Sequence, residues 1–377
     1  MILQSTSVGR LVLTSLLGRG GMGLVFSASC PDSEREFAVK MLAPAVAQSP
    51  EVRARFEREA LILGSLGADG VVQVHDHGET PDGVPFMVMD RVAGRSLDKL
   101  LSRKRLLTMR ETRSVLLPLL RTLAAVHESG VSHRDIKPAN IMLHCRGRRR
   151  EVTLIDFGVA ETCTAAPQND GRTAGTLHYM SPEQAFGTAA PSPRDDLWAI
   201  AVVAYQCLTG LLPFDGATLR ELCQALDRCE APPVTRARPD LSPAVDAFFR
   251  KALNRKSSRR FATCEAMIAA LTALPCTDTK APRRPRAAAA GACQSAVRSV
   301  VRELEYRSTV VCRTPWAMRL TTERAVRRPP VRVAAHSAVR TLRPLTPSHA
   351  TRPSPSPASG CSLRTAVAPR ARWEVQS

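Results

Sequence analysis

Aromatic residues are scarce in this chain of 377 residues, where they make up 4% of the sequence. None of its 11 cysteines lies in a C-x-x-C motif, which excludes a zinc ribbon and a thioredoxin-like redox site. The first residues lack a basic stretch followed by a continuous apolar core, so we expect no secretory signal. The most apolar run, Leu197 to Leu212, has 16 residues and is interrupted by polar side chains, which is short for a membrane span. The sequence therefore predicts a soluble, cytoplasmic protein without a transmembrane segment and with free thiols.

Positive charge is concentrated in the C-terminal part of the chain. The formal net charge is +19, of which +14 falls in residues 275–377. This segment holds 12 prolines and 18 arginines but a single lysine, Lys280. Such a composition cannot bury enough apolar surface to offset the entropy of ordering, so we predict a disordered tail. Its charge also fits weak binding to nucleic acid or an anionic surface, but the segment carries no nucleic-acid-binding signature.

The rest of the chain divides into two regions of different periodicity. Residues 10–90 alternate short β-like runs with Gly and Pro, and one helix interrupts them, with Ser49 as N-cap and Pro50 at its first position. From about residue 95 the pattern is mainly helical, and it stops near Leu274. The sequence predicts an α+β protein with a small β-rich lobe followed by a larger helical lobe.

A glycine-rich turn joins the first two predicted strands. Gly18, Gly20 and Gly23 form a G-x-G-x-x-G motif, and Val25 continues it in the following strand. A dinucleotide-binding turn of this spacing opens a helix, whereas this one continues as a strand. Its backbone N–H groups could therefore approach phosphates from a hairpin, and a plain β-turn remains the alternative.

Lys40 ends the predicted strand Phe37-Ala38-Val39-Lys40. A single lysine at a strand end is usually only solvated. However, Glu59 lies 19 residues downstream on the apolar edge of the predicted helix, where a carboxylate needs a cationic partner. The sequence predicts that Lys40 and Glu59 pair.

Two further motifs follow in the helical region. The string HRDIKPAN runs from His133 to Asn140, and Asp156-Phe157-Gly158 begins 16 residues after Asn140. With the strand that carries Lys40, these strings are close to the signature set of the protein kinases. The chain resembles the eukaryotic-type (Hanks-type) serine/threonine protein kinases of bacteria. The resemblance covers residues 9–273, which implies the two-lobed kinase fold with an N-lobe at about 9–90 and a C-lobe at about 93–273.

The resemblance implies a role for each motif residue in phosphoryl transfer from Mg·ATP. Lys40, held by Glu59, would bind the nucleotide phosphates, and Asp135 would accept the proton of the substrate hydroxyl. Lys137 would neutralise charge on the transferred group. Asn140 and Asp156 would hold Mg²⁺, for which Mn²⁺ is an alternative.

The resemblance also implies the residues that surround the nucleotide. The glycine loop would cover the phosphates, an apolar pocket would hold the adenine, and the backbone of a short hinge would meet the purine edge. These residues are Leu17, Gly18, Gly20, Gly23, Val25, Ala38, Met89 and Leu143 for the loop and pocket, with Asp90, Arg91 and Val92 at the hinge. Ordinary core packing is the alternative for the apolar side chains.

The segment from Gly175 to Glu183 resembles the end of a kinase activation segment. Ser181 stands where Ala is usual, and Glu183 is expected to pair with Arg260. Lys256 and Ser257 replace a usual Asp-Pro pair, which leaves the local loop geometry open. Asp196 matches a buried aspartate that organises the backbone of the catalytic loop in this family.

The resemblance finally implies how the protein is used and regulated. Substrates would be protein Ser or Thr hydroxyls, and autophosphorylation through self-association is expected. A phosphate on Thr162, Thr164 or Thr173 could pair with Arg134 and order the activation segment, unless these threonines are only solvated. A catalytically weak scaffold with the kinase fold and a nucleic-acid-associated protein that acts through the basic tail remain the alternatives.

Overall fold

The computed structural model describes residues 1–20, 23–31, 35–103, 106–146, 149–157 and 176–276. All of these residues fall within one compact unit. From residue 277 onward, the predicted tail lies outside the described residues. Among the helices described, none is both long and apolar enough to cross a membrane.

The N-terminal lobe is built on an antiparallel sheet with strand order β1-β2-β3-β4-β6-β5. The strands are β1 (Ile2–Ser5), β2 (Gly9–Arg19), β3 (Gly23–Ser29), β4 (Glu36–Leu42), β5 (Val74–Glu79) and β6 (Pro85–Asp90). The predicted runs between residues 10 and 90 are confirmed as strands, but the sequence did not predict β1. That strand is short, and tertiary contacts hold it, because Ser5 Oγ donates to Asp76 Oδ2 on β5 at 2.6 Å.

One long helix, α1 (Pro50–Leu66), packs on this sheet. Ser49 caps it as predicted, accepting the N–H of Val52, and Gly67 ends it in the left-handed conformation with φ +51°. The buried face of α1 holds Phe56 and Leu63 together with the carboxylate of Glu59. The predicted amphipathic helix is therefore confirmed, and it carries one buried charge toward the sheet.

The C-terminal lobe is mainly helical. Its helices are α2 (Leu97–Leu101), α3 (Met109–Glu128), α4 (Pro182–Phe186), α5 (Pro193–Thr209), α6 (Leu219–Arg228), α7 (Val234–Ala237), α8 (Ala244–Ala252) and α9 (Cys264–Ala273). Helix α5 is the centre of the lobe, with Trp198 and Ile200 fully buried. The lobe also contains a small antiparallel sheet of β7 (Arg95–Ser96), β8 (Ile141–Arg146) and β9 (Arg149–Leu154). This confirms the predicted α+β architecture of a small β-rich lobe followed by a larger helical lobe.

Helix α5 begins and ends earlier than the apolar run that predicted it. The run covers Leu197 to Leu212, whereas the helix begins at Pro193 because Ser192 and Asp195 form a capping box. Gly210 ends the helix with φ +68°. The early start places Asp195 and Asp196 in the first helical turn, where carboxylates are favoured.

Candidate functional site

Lys40 lies between two carboxylates that come from distant parts of the chain. Its Nζ atom is 2.8 Å from Glu59 Oε1 on α1 and 3.0 Å from Asp156 Oδ1 in the loop after β9. Glu59 is 3% exposed, whereas Asp156 is 39% exposed. The predicted pair of Lys40 and Glu59 is therefore confirmed, and it extends to the aspartate of the DFG motif.

The charges in this group shift one another's ionisation. Burial alone would lower the pKa of Lys40, but the negative charges of Asp156 and Glu59 outweigh burial, so the pKa of Lys40 is raised. Burial opposes ionisation of Asp156, yet the Lys40 ammonium lowers the pKa of that carboxyl. Burial raises the pKa of Glu59 despite the opposing effect of Lys40. Lys40 therefore stays a cation at any physiological pH.

A second polar cluster forms around Asp135. Lys137 Nζ donates to both carboxylate oxygens of Asp135, at 2.9 and 2.8 Å, and to Thr176 Oγ1 at 3.1 Å. Asn140 Nδ2 donates to Asp135 Oδ2 at 2.9 Å. The charge of Lys137 also lowers the pKa of Asp156. The two clusters thus lie close enough to interact, with their cations and carboxylates in one site.

Asp196, in the first turn of α5, holds the backbone of the loop that runs from His133 to Asn140. Its carboxylate accepts the N–H groups of His133 and Arg134, both at 2.8 Å. His127 on α3 contacts the same carboxylate through Nε2 at 2.8 Å. Arg134 has φ +69°, a left-handed conformation that is uncommon for residues other than glycine. The predicted role of Asp196 is confirmed, while His127 was missed because no spacing rule links it to Asp196.

Glu183 and Arg260 form the predicted ion pair behind the site. Arg260 Nη2 is 3.0 and 2.8 Å from the two oxygens of Glu183, and its guanidinium lies 4.5 Å from the ring of Trp198. Lys256 does not disturb this arrangement, because residues Ser257–Arg259 form a short 3-10 turn that brings Arg260 into place.

The residues predicted to surround the nucleotide are only partly brought together. Val25, Ala38, Met89 and Val92 belong to one apolar cluster that faces α1. Leu143 packs against the core of the C-terminal lobe, and Leu17 is outside both clusters with 43% of its surface exposed.

The glycine loop begins at the end of β2. The N–H of Gly20 donates to the carbonyl of Gly23 at 2.8 Å, which closes the hairpin. A Cβ atom at Gly23 would lie 1.9 Å from the carbonyl oxygen of Met41, whereas one at Gly18 would meet nothing within 4 Å. Glycine is therefore required by packing at Gly23 but not at Gly18.

The hinge backbone is partly engaged within the protein. The Asp90 N–H donates to the carbonyl of Gln73 at 3.0 Å, and the Asp90 carboxylate contacts His75 Nε2 at 2.7 Å. Arg91 pairs with Glu36 on β4. A purine edge at this hinge would therefore use the carbonyl of Asp90 and the backbone of Val92 rather than the Asp90 N–H.

Asn140 and Asp156 could bind a metal ion that is also coordinated by the phosphates of a nucleotide. Asn140 uses its Nδ2 group to bind Asp135, so its amide oxygen faces another direction. The Asp156 carboxylate is partly exposed. Among the described residues, no group of three His, Cys, Asp or Glu side chains could hold a metal alone. Mg²⁺ in phosphoryl-transfer sites is bound by one or two protein carboxylates together with substrate phosphates. Asn140 and Asp156 fit that donor set.

The predicted regulatory residues are only partly described. Arg134 lies in the catalytic loop, one residue before Asp135. Thr162, Thr164 and Thr173 lie outside the described residues, as does Gly158 of the DFG motif. Their predicted pairing with Arg134 stays a prediction.

Removal of Lys40 should make stability depend on pH in a defined direction. In the wild type, the lowered pKa of Asp156 means that its pairing with Lys40 stabilises the fold above the ordinary aspartate range and is lost as pH falls. In Lys40→Met, both carboxylates lose their cation. We expect the free energy of unfolding to fall by about 1–3 kcal/mol at pH 7. The difference should be smaller at pH 4, because in the variant the two carboxyls have lost the cation that lowered their pKa and are protonated more readily. Urea denaturation at the two pH values measures this.

The control for this variant is Lys99→Met, which removes an exposed lysine on α2. It should change the free energy of unfolding by less than about 0.5 kcal/mol at either pH. A Lys40→Met difference that stays constant or grows from pH 7 to pH 4 would contradict the assigned direction.

Comparisons with known proteins agree with this geometry. The sequence matches the family described as Protein kinase domain over residues 11–270. It is 35% identical over 283 residues to the serine/threonine-protein kinase pkn3 of Myxococcus xanthus, covering 73% of this chain and 52% of that protein. It is 33% identical over 268 residues to the serine/threonine-protein kinase PknE of Mycobacterium bovis, covering 71% of this chain and 46% of that protein. The chain thus spans about half the length of the curated relatives it matches.

The structure is also similar to a solved kinase domain. The crystal structure of the Mycobacterium tuberculosis PknI kinase domain superposes with a TM-score of 0.56 at 27% sequence identity. The match covers 72% of this chain and 97% of that one. The match therefore covers nearly the whole length of that kinase domain.

Proposed function

The chain belongs to the protein kinase domain family, as a bacterial Hanks-type serine/threonine kinase, and from this premise we propose that it transfers the γ-phosphoryl group of Mg·ATP to Ser and Thr hydroxyls of proteins. One observation supports the activity above all others. The Lys40 ammonium lies within 3.0 Å of carboxylates from both lobes, beside a second cluster of Asp135, Lys137 and Asn140. A dispersed anionic transition state needs such cations and donors around the phosphoryl oxygens.

We propose that the nucleotide binds beside Lys40, where residues of the two lobes meet. Lys40 would bind the α- and β-phosphates, and the backbone N–H groups of the loop from Gly18 to Gly23 would cover them. The apolar cluster of Val25, Ala38 and Met89 would hold the adenine. Glu59 and Asp156 flank Lys40 and would orient its ammonium toward the phosphates.

Asn140 and Asp156 are the proposed cation ligands. When bound, Mg²⁺ neutralises charge on the nucleotide phosphates, and Mn²⁺ could take its place. The protein's own part is to hold the two oxygen donors still. Asn140 is fixed by its hydrogen bonds to Asp135, and Asp156 by its contact with Lys40.

Asp135 is the proposed acceptor of the proton from the substrate hydroxyl. Its carboxylate is oriented by Lys137 and Asn140, so one oxygen can face an incoming hydroxyl. Lys137 would neutralise charge on the group in transfer, and its bond to Thr176 connects it to the activation segment. That lysine and threonine pair is typical of kinases that act on Ser and Thr.

The membership of the kinase family also supports proposals about domain bounds, localisation and self-association. The kinase domain would cover residues 9–273, with lobes at about 9–90 and 93–273 and a separate tail at 275–377. We further propose a cytoplasmic protein that self-associates to phosphorylate its own activation segment, where Thr162, Thr164 or Thr173 would pair with Arg134. The net positive charge of the tail supports a further proposal, that it binds nucleic acid or an anionic surface weakly.

The proposed function is tested by transfer of labelled γ-phosphate from Mg·ATP to the protein itself and to a generic protein acceptor. We expect label on Ser and Thr but not on Tyr, and no label with Asp156→Asn because the cation loses a ligand. The modified sites are mapped by mass spectrometry to decide among the three threonines.

The opposite outcome is equally informative. If the folded wild type binds ATP but transfers no label to itself or to any acceptor, the scaffold alternative is favoured over the kinase. Label that persists in Asp156→Asn would indicate a contaminating activity or a different site.

A further inference from the structure

Gln184 contacts the loop that carries Asp135, but none of the proposed steps of phosphoryl transfer uses it. It lies in the first turn of α4, directly after Glu183. Its Nε2 atom donates to the carbonyl oxygen of Arg134 at 2.8 Å. Arg134 immediately precedes Asp135, so this bond acts on the peptide group that carries the proposed proton acceptor.

The conformation of Arg134 explains why such a bond matters. With φ +69° the backbone of this arginine has the left-handed conformation. That conformation costs an L-residue free energy and persists only when the surrounding structure holds it. Asp196 Oδ1 accepts the Arg134 N–H at 2.8 Å, and Gln184 binds the carbonyl on the other side. The residue before Asp135 is thus fixed at both of its peptide groups.

The position of Gln184 depends in turn on the end of the activation segment. Ser181 caps α4 by accepting the N–H of Gln184 at 3.1 Å. The Ser181 hydroxyl is fully buried and donates to Asp195 Oδ1 at 2.5 Å. Asp195 and Asp196 are neighbours on α5, so one helical turn anchors both Ser181 and the catalytic loop.

We propose that Gln184 is a positioning residue that fixes the peptide before Asp135, so that order at the end of the activation segment determines the orientation of the proton acceptor. The inference rests on the proposed function, since it concerns the same site. It predicts an effect on the transfer step rather than on nucleotide binding, because Gln184 binds the peptide beside Asp135, whereas Lys40 is held by Glu59 and Asp156.

The test is the variant Gln184→Glu, which keeps the shape of the side chain but replaces the amide donor. A carboxylate cannot donate to a carbonyl, whereas a protonated carboxyl can. At pH 8 we expect kcat about 10-fold below the wild type, with an unchanged KM for ATP and an unchanged melting temperature. The ratio of variant to wild-type kcat should rise as pH falls toward the range in which the introduced carboxyl is protonated.

Two further variants separate the missing donor from other effects. Gln184→Lys keeps an N–H donor and should retain more activity at pH 8 than Gln184→Glu. Gln224→Glu makes the same change on the exposed side of α6 and should leave kcat within about twofold of the wild type at every pH.

Amide hydrogen exchange provides a readout that does not need catalysis. Loss of the Gln184 donor should speed exchange in the peptide that contains residues 134–136. The inference is overturned if Gln184→Glu has wild-type kcat and exchange at pH 8. It is also overturned if its loss of activity comes with a lower melting temperature, a raised KM and no recovery at low pH. An inactive wild type would refute the proposed function alone, and exchange would still decide the role of Gln184.

Discussion

Asp135→Asn should lower kcat by about 10²- to 10⁴-fold, the usual contribution of a positioned general base. The change removes the carboxylate that accepts two hydrogen bonds from Lys137 and one from Asn140. An amide in that place cannot take the proton of a substrate hydroxyl, and its NH₂ group would face the Lys137 ammonium. The dissociation constant for ATP should stay within about threefold, because Lys40 and Asp156 hold the nucleotide in this proposal.

Steady-state kinetics with a peptide acceptor and a direct ATP-binding measurement check this prediction together. Asp82→Asn is the matched control, because it removes the same charge from an exposed turn between β5 and β6. It should leave kcat within about twofold of the wild type. If Asp135→Asn kept a tenth or more of the wild-type kcat, Asp135 would not be the proton acceptor.

The two residues that the sequence linked best are Lys40 and Glu59. Their pairing could be predicted because a carboxylate on the apolar edge of an amphipathic helix needs a cationic partner. The predicted strand that ends at Lys40 supplies such a cation. The structure adds Asp156 as a second partner at 3.0 Å. That contact joins residues 116 positions apart, and only the resemblance to a family, not the local pattern, placed them in one site.

Contacts outside the sequence motifs were harder to predict than contacts between motif residues. Gln184 and His127 form hydrogen bonds with groups 50 and 69 positions away. Neither residue belongs to a periodic pattern, and an uncharged amide can be satisfied by water almost anywhere on a surface. Ser181 was interpreted as a small replacement for alanine, but its hydroxyl caps α4 and binds Asp195. Such roles depend on tertiary contacts that local sequence does not encode.

Burial separates two arginine pairs that look alike in the sequence. Arg260 is 1% exposed and pairs with Glu183, whereas Arg255 is 47% exposed and pairs with Asp227. Removing one partner of a buried pair leaves an uncompensated charge and usually costs about 3–5 kcal/mol. An exposed pair contributes about 0–1 kcal/mol because water screens it. The same chemical change should therefore have very different effects at the two positions.

Arg260→Leu should lower the free energy of unfolding by about 3–5 kcal/mol, because the Glu183 carboxylate stays behind without its cation and Trp198 loses the guanidinium stacked on it. Arg255→Leu, the matched control, should lower it by at most about 1 kcal/mol. Urea denaturation of the full chain gives both values.

The double variant Arg260→Leu with Glu183→Leu tests whether the lost stability comes from the unpaired carboxylate of Glu183. If it does, removing Glu183 as well should restore part of the lost stability, since two apolar side chains need no counterion. If the double variant is no more stable than Arg260→Leu alone, the unpaired Glu183 charge costs little, and the loss comes instead from the other bonds of the guanidinium, which donates to the carbonyls of Asn254 and Arg255. In that case the guanidinium, rather than its charge, is what holds the end of the activation segment against α5.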